Sequence, residues 1–474
     1  MYGCIQIVRR CGLALLCALV LAASAFAQFE TFGAALAESD SSPLGIAVGD
    51  FNHDGKLDLA VVSGCCPGGG VSVLLGRGDG TFEPSVYYAV GDQPYSIVAV
   101  DLNHDGNLDL AVANSLSNYV SILLGNGDGT FRPGPQSPGV PQPADYIVAG
   151  DFNGDGETDL AATGNNIISV LLGNGDGTFQ NAVVTAPPFS VLSIGAGDFN
   201  GDGKLDLATA GSFGFGGSIN ILLGNGDGTF RYGSSYAGGN VPASMALADL
   251  NGDHKLDLAI ADSEGIGISV LLGRGDGTFR EAVNYPTHFP TWVTTADING
   301  DHIPDLVAAN FEFPSGASVL LGNGDGTFRP GRFYRGGRET TSVATGDFNS
   351  DGKIDLVLTN YRFDDVVVLL NTGEVTFSPT TPLKFGAQAV GTTSAPQTVT
   401  LTNRGTAELE ISSMEIKGEF GMKSTCGKSV APGAICSINV TFSPQTQGLK
   451  AGTITLKDTA SSKPQVIKLL GTGT

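Results

Sequence analysis

Oxygen-bearing side chains alternate through a nine-residue stretch, Asp-x-Asn-x-Asp-x-x-x-Asp, that occurs seven times in this chain of 474 residues. The first three copies are Asp50, Asn52, Asp54 and Asp58; Asp101, Asn103, Asp105 and Asp109; and Asp151, Asn153, Asp155 and Asp159. The next two are Asp198, Asn200, Asp202 and Asp206, then Asp249, Asn251, Asp253 and Asp257. The last two are Asp297, Asn299, Asp301 and Asp305, then Asp347, Asn349, Asp351 and Asp355. A tight turn folds such alternation around one hard cation, and calcium takes about six to eight oxygens at roughly 2.3–2.6 Å. The seventh residue of each copy (Lys56, Asn107, Glu157, Lys204, Lys255, Ile303 or Lys353) shares no side-chain chemistry with its counterparts, so it is expected to contribute its backbone carbonyl.

The sixth position is Gly55, Gly106, Gly156, Gly203 and Gly352, as a sharp acidic calcium loop requires. His254 and His302 stand there in the fifth and sixth copies, and Pro304 precedes the last Asp of the sixth. A histidine can hold the positive φ expected at that position, at a cost. Asn, Asp and Gly also make good turns without metal. A turn needs one or two such residues, whereas every copy keeps three carboxylates that would repel one another if unneutralised. Calcium is therefore the expected cofactor.

The copies start 51, 50, 47, 51, 48 and 50 residues apart, which makes the chain to about residue 378 a repeat array. Its net charge is −22, and 21 of its 47 acidic residues are the three Asp of each of the seven loops. The negative charge is thus concentrated in candidate cation sites, and a nucleic-acid partner would require the opposite sign.

Between loops the segments are short and β-patterned. A strand enters the loop (Gly45 to Asp50), another leaves it (Leu57 to Val62), a third follows (Val71 to Leu75), and a Gly-Asp-Gly-Thr-Phe hairpin leads to a fourth. Four strands per ~50 residues make a propeller blade. The hairpins at Asp79, Asp128, Asp176, Asp227, Asp276 and Asp325 read as type I′ turns, and the phenylalanines after them, such as Phe82 and Phe131, as packing residues. Arg77-Gly78-Asp79 and Arg274-Gly275-Asp276 spell an adhesion tripeptide, but the turn already accounts for them. The segment from Phe29 resembles the second half of a unit, and the last unit ends at Thr376-Phe377. Both ends can then complete one blade and leave no open edge. Seven blades are expected.

Units such as Ile46-Ala-Val-Gly-Asp-Phe-Asn-His-Asp-Gly-Lys-Leu-Asp-Leu-Ala60 and Ser169-Val-Leu-Leu-Gly-Asn-Gly-Asp-Gly-Thr-Phe179 resemble FG-GAP repeats of the integrin α-subunit type, also called VCBS repeats, over about residues 29–378. The resemblance implies a β-propeller whose Asp-rich loops bind calcium. Integrin α-subunits continue into a long leg and a membrane helix, and neither is present here.

After Pro379 the acidic loops vanish and alternating strands appear, as in Gln397–Asn403 and Cys436–Phe442, which suits an Ig-like sandwich. Leu383-Lys-Phe-Gly, Val390-Gly-Thr-Thr, Thr425-Cys-Gly and the closing Leu470-Gly-Thr-Gly-Thr resemble the choice-of-anchor D domain, related to the ASPM, SPD-2 and Hydin type. Domains of that type often precede a surface anchor, so the resemblance implies docking to a surface through a partner.

Arg9-Arg10, an apolar run from Cys11 to about Ala25, and Ala25-Phe26-Ala27 before Gln28 have the form of a secretory signal, with a cut after residue 27. The expected location is outside the cytoplasm, secreted, periplasmic or at the cell surface, with no transmembrane segment in the mature chain. In an oxidising compartment Cys426 and Cys436 are expected to pair, while Cys65 and Cys66 form a vicinal disulfide or stay free.

The organisation is therefore a signal peptide (1–27), a seven-bladed propeller (28–378) and an Ig-like β-sandwich (379–474), all-β throughout. The sequence has no Gly-x-Ser-x-Gly elbow, His-Glu-x-x-His or phosphate loop. His53, His104, His254 and His302 lie within the Asp loops, where solvent-facing turn roles are the default, and Trp292 reads as blade packing. The expected function is binding of an extracellular protein or glycan. The alternatives are a hydrolase or lyase at the propeller channel, whose catalytic groups would come from several blades, and a structural envelope or matrix component.

Overall fold

The computed structural model describes residues 30–35, 42–64, 69–212, 216–265, 267–361, 363–371, 375–379, 382–403, 409–431, 433–458 and 464–474. The signal-like segment and the pair Cys65-Cys66 lie outside the described residues. Every described element is a β-strand, and no described helix is long and apolar enough to cross a membrane.

One local pattern recurs through the repeats. In the first unit the strands Pro43–Gly49, Asp58–Ser63, Gly70–Leu74 and Val86–Ala89 form a four-stranded antiparallel sheet in chain order. Its burial follows from its sequence. The first strand alternates buried and half-buried residues, the second and third are buried throughout, and the fourth is largely open. Runs such as Leu59-Ala60-Val61-Val62 are apolar at consecutive positions because both faces of the sheet are covered by neighbouring sheets. Equivalent sheets begin at Pro94, Tyr146, Ser193, Pro242 and Pro290.

The seventh unit supplies three strands of its own, Thr340–Gly346, Asp355–Asn360 and Asp365–Leu370. Its fourth is the N-terminal strand Glu30–Ala35, paired antiparallel with Asp365–Leu370 in the register Glu30 to Leu370. The first strand of each sheet lies beside that of the next, and Pro43–Gly49 also lies beside Thr340–Gly346. The cores sit between adjacent sheets. Leu59, Val61, Leu74 and Phe82 of unit 1 share one with Phe348, Val357, Val366, Val368 and Leu370 of unit 7.

The strand Val375–Ser378, assigned from sequence to the end of the array, pairs instead with Gln397–Asn403. It belongs to the C-terminal module, which therefore starts before the expected boundary at residue 379. Two sheets make up that module. One runs Val375–Ser378, Gln397–Asn403, Ile435–Phe442 and Phe420–Ser424; the other places Leu383–Gln388 parallel to Gln465–Gly473, followed by Gly448–Asp458 and Leu409–Lys417. Phe385, Phe420 and Phe442 meet between them, with ring centroids 4.9–5.9 Å apart. The sulfurs of Cys426 and Cys436 are joined.

Candidate metal centre

Each Asp loop joins the first strand of a unit to the second, and its backbone amides organise its acids. In unit 3, Asp151 Oδ1 accepts the amides of Gly154 and Asp155 at 2.7 and 3.2 Å, and Oδ2 accepts that of Gly156 at 2.9 Å. Asn153 Oδ1 accepts the Asp155 amide at 2.8 Å, and Asp155 Oδ1 that of Glu157 at 2.9 Å. Such inward-facing oxygens require a turn that reverses twice. The sixth position has φ of 80° at Gly55 and 87° at Gly156, and His254 and His302 adopt 62° and 65° there. The fourth position is also left-handed, occupied by His53, His104, Gly154, Gly201, Gly252, Gly300 and Ser350. That second reversal escaped the sequence reading, although four of the seven copies carry Gly there.

The ninth residue behaves differently from the first, third and fifth. Asp58, Asp109, Asp159, Asp206, Asp257, Asp305 and Asp355 are fully buried. Asp159 accepts the Phe152 amide at 2.8 Å on Oδ2 and the Gly173 amide at 2.7 Å on Oδ1, and the other six repeat this pair of bonds. One carboxylate thus ties the loop to the end of the third strand. Six units keep a glycine there, and a Cβ on Gly76 would lie 2.1 Å from the Leu57 carbonyl oxygen. Only unit 7 replaces it, with Asn371.

Burial pushes all seven of these carboxyls up, the two amides hold them down, and the first and fifth acids of the same loop raise them further. Asp257 and Asp305 reach about 6, and Asp355 about 7.

The donors offered are carboxylate, amide and peptide oxygens, the set a hard divalent cation takes. In units 2, 3 and 4 no described cationic side chain pairs with the loop's three aspartates. Loop 1 has an internal pair, Lys56 Nζ to Asp54 Oδ2 at 2.8 Å. In chemistry and in uncompensated charge the residues fit calcium. Among the described residues, however, no three carboxylate, imidazole or thiol groups converge closely enough to hold an ion by themselves. The loop amides occupy the acids of each loop instead.

The seventh-position side chains turn away from their own loops or pair within them. Glu157 Oε2 meets His104 Nε2 of the preceding unit at 2.6 Å, and Asn107 Oδ1 meets His53 Nε2 at 3.0 Å. These two histidines are exposed turn residues, as expected from the sequence, and each also bridges to the following loop. His254 and His302 are exposed, each 3.7 Å from the first Asp of its loop.

The Gly-Asp-Gly-Thr-Phe hairpin is also built differently from expectation. Positive φ falls on Gly78 (70°) and Gly80 (83°), flanking Asp79, so this is not a type I′ turn centred on Asp-Gly. Asp79 Oδ1 instead accepts the amide and hydroxyl of Thr81 at 3.0 and 2.6 Å, and the Arg77 amide donates to the Thr81 carbonyl at 2.9 Å. Arg77 Nη1 donates to the Phe82 carbonyl at 2.8 Å, so the adhesion-like tripeptide is held within its own turn.

At the centre of the sheets, Tyr146 of unit 3 reaches across the molecule. Its hydroxyl donates to the Ala243 carbonyl of unit 5 at 2.9 Å, and its ring stacks on Trp292 of unit 6 at 6.5 Å and meets Tyr95 edge-on at 5.3 Å. Trp292 is half-buried and packs on the core shared by units 6 and 7.

These observations define an all-β repeat protein of the β-propeller type with an Ig-like module behind it. The FG-GAP-like repeat profile matches residues 50–112, 101–162, 151–209, 198–260, 249–308 and 297–358, and the chain belongs to that family. Each of the six matches runs from one Asp loop through the next, so together they span seven loops. Residues 375–466 match the family described as abnormal spindle-like microcephaly-associated, ASPM-SPD-2-Hydin. Among solved structures, the ASH / PapD-like domain of human CEP192 (PapD-like domain 7) is similar at 13% identity, covering 21% of this chain and 85% of that one with a TM-score of 0.18. No curated protein matches the chain.

Proposed function

We propose that the chain is a secreted, calcium-stabilised, seven-bladed propeller that binds an extracellular protein or glycan, with the C-terminal Ig-like module as spacer or docking domain. The observation that carries the calcium reading is the sevenfold recurrence of three carboxylates in one short loop, the ninth buried and, in units 2 to 4, none offset by a cation. In each loop the holding residues are the Asp, Asn and Asp at positions one, three and five, the carbonyl at position seven and the Asp at position nine. A bound ion would supply the positive charge that lets the buried ninth carboxylate stay ionised, and its role is structural.

Support for seven blades comes from the seven four-stranded sheets of the repeat array and from Glu30–Ala35 completing the last of them. Secretion is supported by the charged, apolar and small-residue order of residues 9–27. The bridge from Tyr146 to Ala243 and Trp292 occupies the centre of the sheets, where a channel enzyme would need open space. The test is metal content after dialysis against millimolar calcium or magnesium. Several calcium ions per chain, with little magnesium, supports the reading; retention of neither ion refutes it.

A further inference from the structure

The seven units agree at their Asp loops and differ at the opposite ends of the same strands. There, after the second strand, unit 3 turns through Asn165-Asn166 and unit 5 through Ser263-Glu264-Gly265, all polar or small. Units 6 and 7 turn through aromatic residues. Phe313 is 87% exposed, the most open large apolar side chain among the described residues, and Phe363 is 49% exposed. Arg335 lies over the Phe313 ring at 5.5 Å and Arg338 over the Phe363 ring at 5.3 Å. Phe311 and Tyr361, with ring centroids 6.3 Å apart, join the two turns into one patch.

A contiguous exposed apolar patch marks an interaction surface, whereas single exposed side chains do not, and here rings from two turns meet. The arginines specify the partner's charge. Neither is in an ion pair with a described carboxylate, although the chain carries a net charge of −22. A guanidinium stacked on a ring keeps its in-plane N–H donors free, and that planar fork fits a carboxylate. Each pair thus offers an apolar platform beside a carboxylate-binding group. The pair occurs twice, side by side, which suits a ligand that itself repeats.

We infer that the turn surface of units 6 and 7 binds an acidic polysaccharide. The C–H faces of successive sugars lie on Phe313 and Phe363, and uronate carboxylates meet Arg335 and Arg338. This rests on the binding-module reading above and names its site and ligand class.

The test uses the full chain in calcium and a defined oligosaccharide alternating glucuronate with a neutral sugar, measured by calorimetry. The same oligosaccharide with its carboxylates methyl-esterified is the uncharged control. The charged form should bind, and the ester should bind at least tenfold more weakly. The double variants Phe313→Ala/Phe363→Ala and Arg335→Ala/Arg338→Ala should each weaken binding tenfold or more with an unchanged melting temperature. No binding, equal binding of the ester, or variants that bind as the parent would overturn the inference. So would a glutamate-rich peptide that competes with the same dependence on the four residues, since the partner would then be a protein. The melt in calcium and chelator separates the two readings: a calcium-dependent melt without glycan binding sinks only this inference, whereas a calcium-independent melt sinks the metal reading whatever the glycan does.

Discussion

The amide of Gly80 donates to the carbonyl of Phe348 at 2.9 Å, across the seam where the first repeat meets the last. The same bond joins Gly129 to Phe51, Gly177 to Leu102, Gly228 to Phe152 and Gly277 to Phe199, always from a hairpin to the second residue of the preceding unit's Asp loop. The hairpin phenylalanine follows it. Phe131 meets Phe51 edge-on at 5.4 Å, and Phe82 reaches Phe348 at 6.1 Å. The seam between units 7 and 1 is therefore built like an interior joint.

If the seam closes the ring, removing residues 28–35 strips the fourth strand from unit 7 and opens an edge along Asp365–Leu370. Such an edge is a template for pairing with another chain. The truncated protein should melt lower and self-associate with rising concentration in analytical ultracentrifugation. A truncated chain that stays monomeric and melts like the parent would contradict closure through Glu30–Ala35.

The first and ninth acids of one loop should separate in their effects. Asp159→Ala leaves the buried amides of Phe152 and Gly173 without their acceptor, at roughly 1–3 kcal/mol for each unsatisfied group. It should destabilise with or without calcium. Asp151→Ala, at the open end of the loop, should lower stability chiefly when calcium is present. Chemical denaturation of both variants in calcium and in chelator checks the contrast.

The left-handed sixth position predicts opposite signs for two substitutions. Gly156 holds φ 87° with open space around its Cα, so Gly156→Ala costs about 1–2 kcal/mol through backbone conformation alone. His254 holds φ 62°, and His254→Gly should be neutral or stabilising by up to about 1 kcal/mol, because strain relief competes with the greater freedom of glycine in the unfolded chain. Denaturant midpoints at constant slope measure both.

Reduction of the Cys426–Cys436 bond opens a loop of ten residues and should cost the C-terminal module roughly 2–3 kcal/mol in the chain-entropy model. The repeat array contributes no residue to that loop. In calorimetry the reductant should lower one transition and leave the other in place.

Local features were legible in the sequence. The strand–loop–strand rhythm, the Gly or His at position six and the pairing of Cys426 with Cys436 depend on residues about ten apart or fewer. The features that escaped depend on contacts between units. His104 keeps its turn role and Trp292 its packing role, but their added partners, Glu157 of the next unit and Tyr146 from across the molecule, are not visible along the chain. Asp159 looks equivalent to Asp151 along the chain, yet burial and the Gly173 amide give it an anchoring role. Val375–Ser378 follows a Thr-Phe resembling the hairpins, which masked its pairing with Gln397–Asn403.

If the Asp loops are structural calcium sites, a thermal melt of the chain in millimolar calcium and in excess chelator will separate the two states. With seven loops stabilised by binding only in the folded state, calcium should raise the melting temperature in a concentration-dependent way. The same melting temperature in calcium and in chelator would reduce the loops to turns and rule out structural calcium in them.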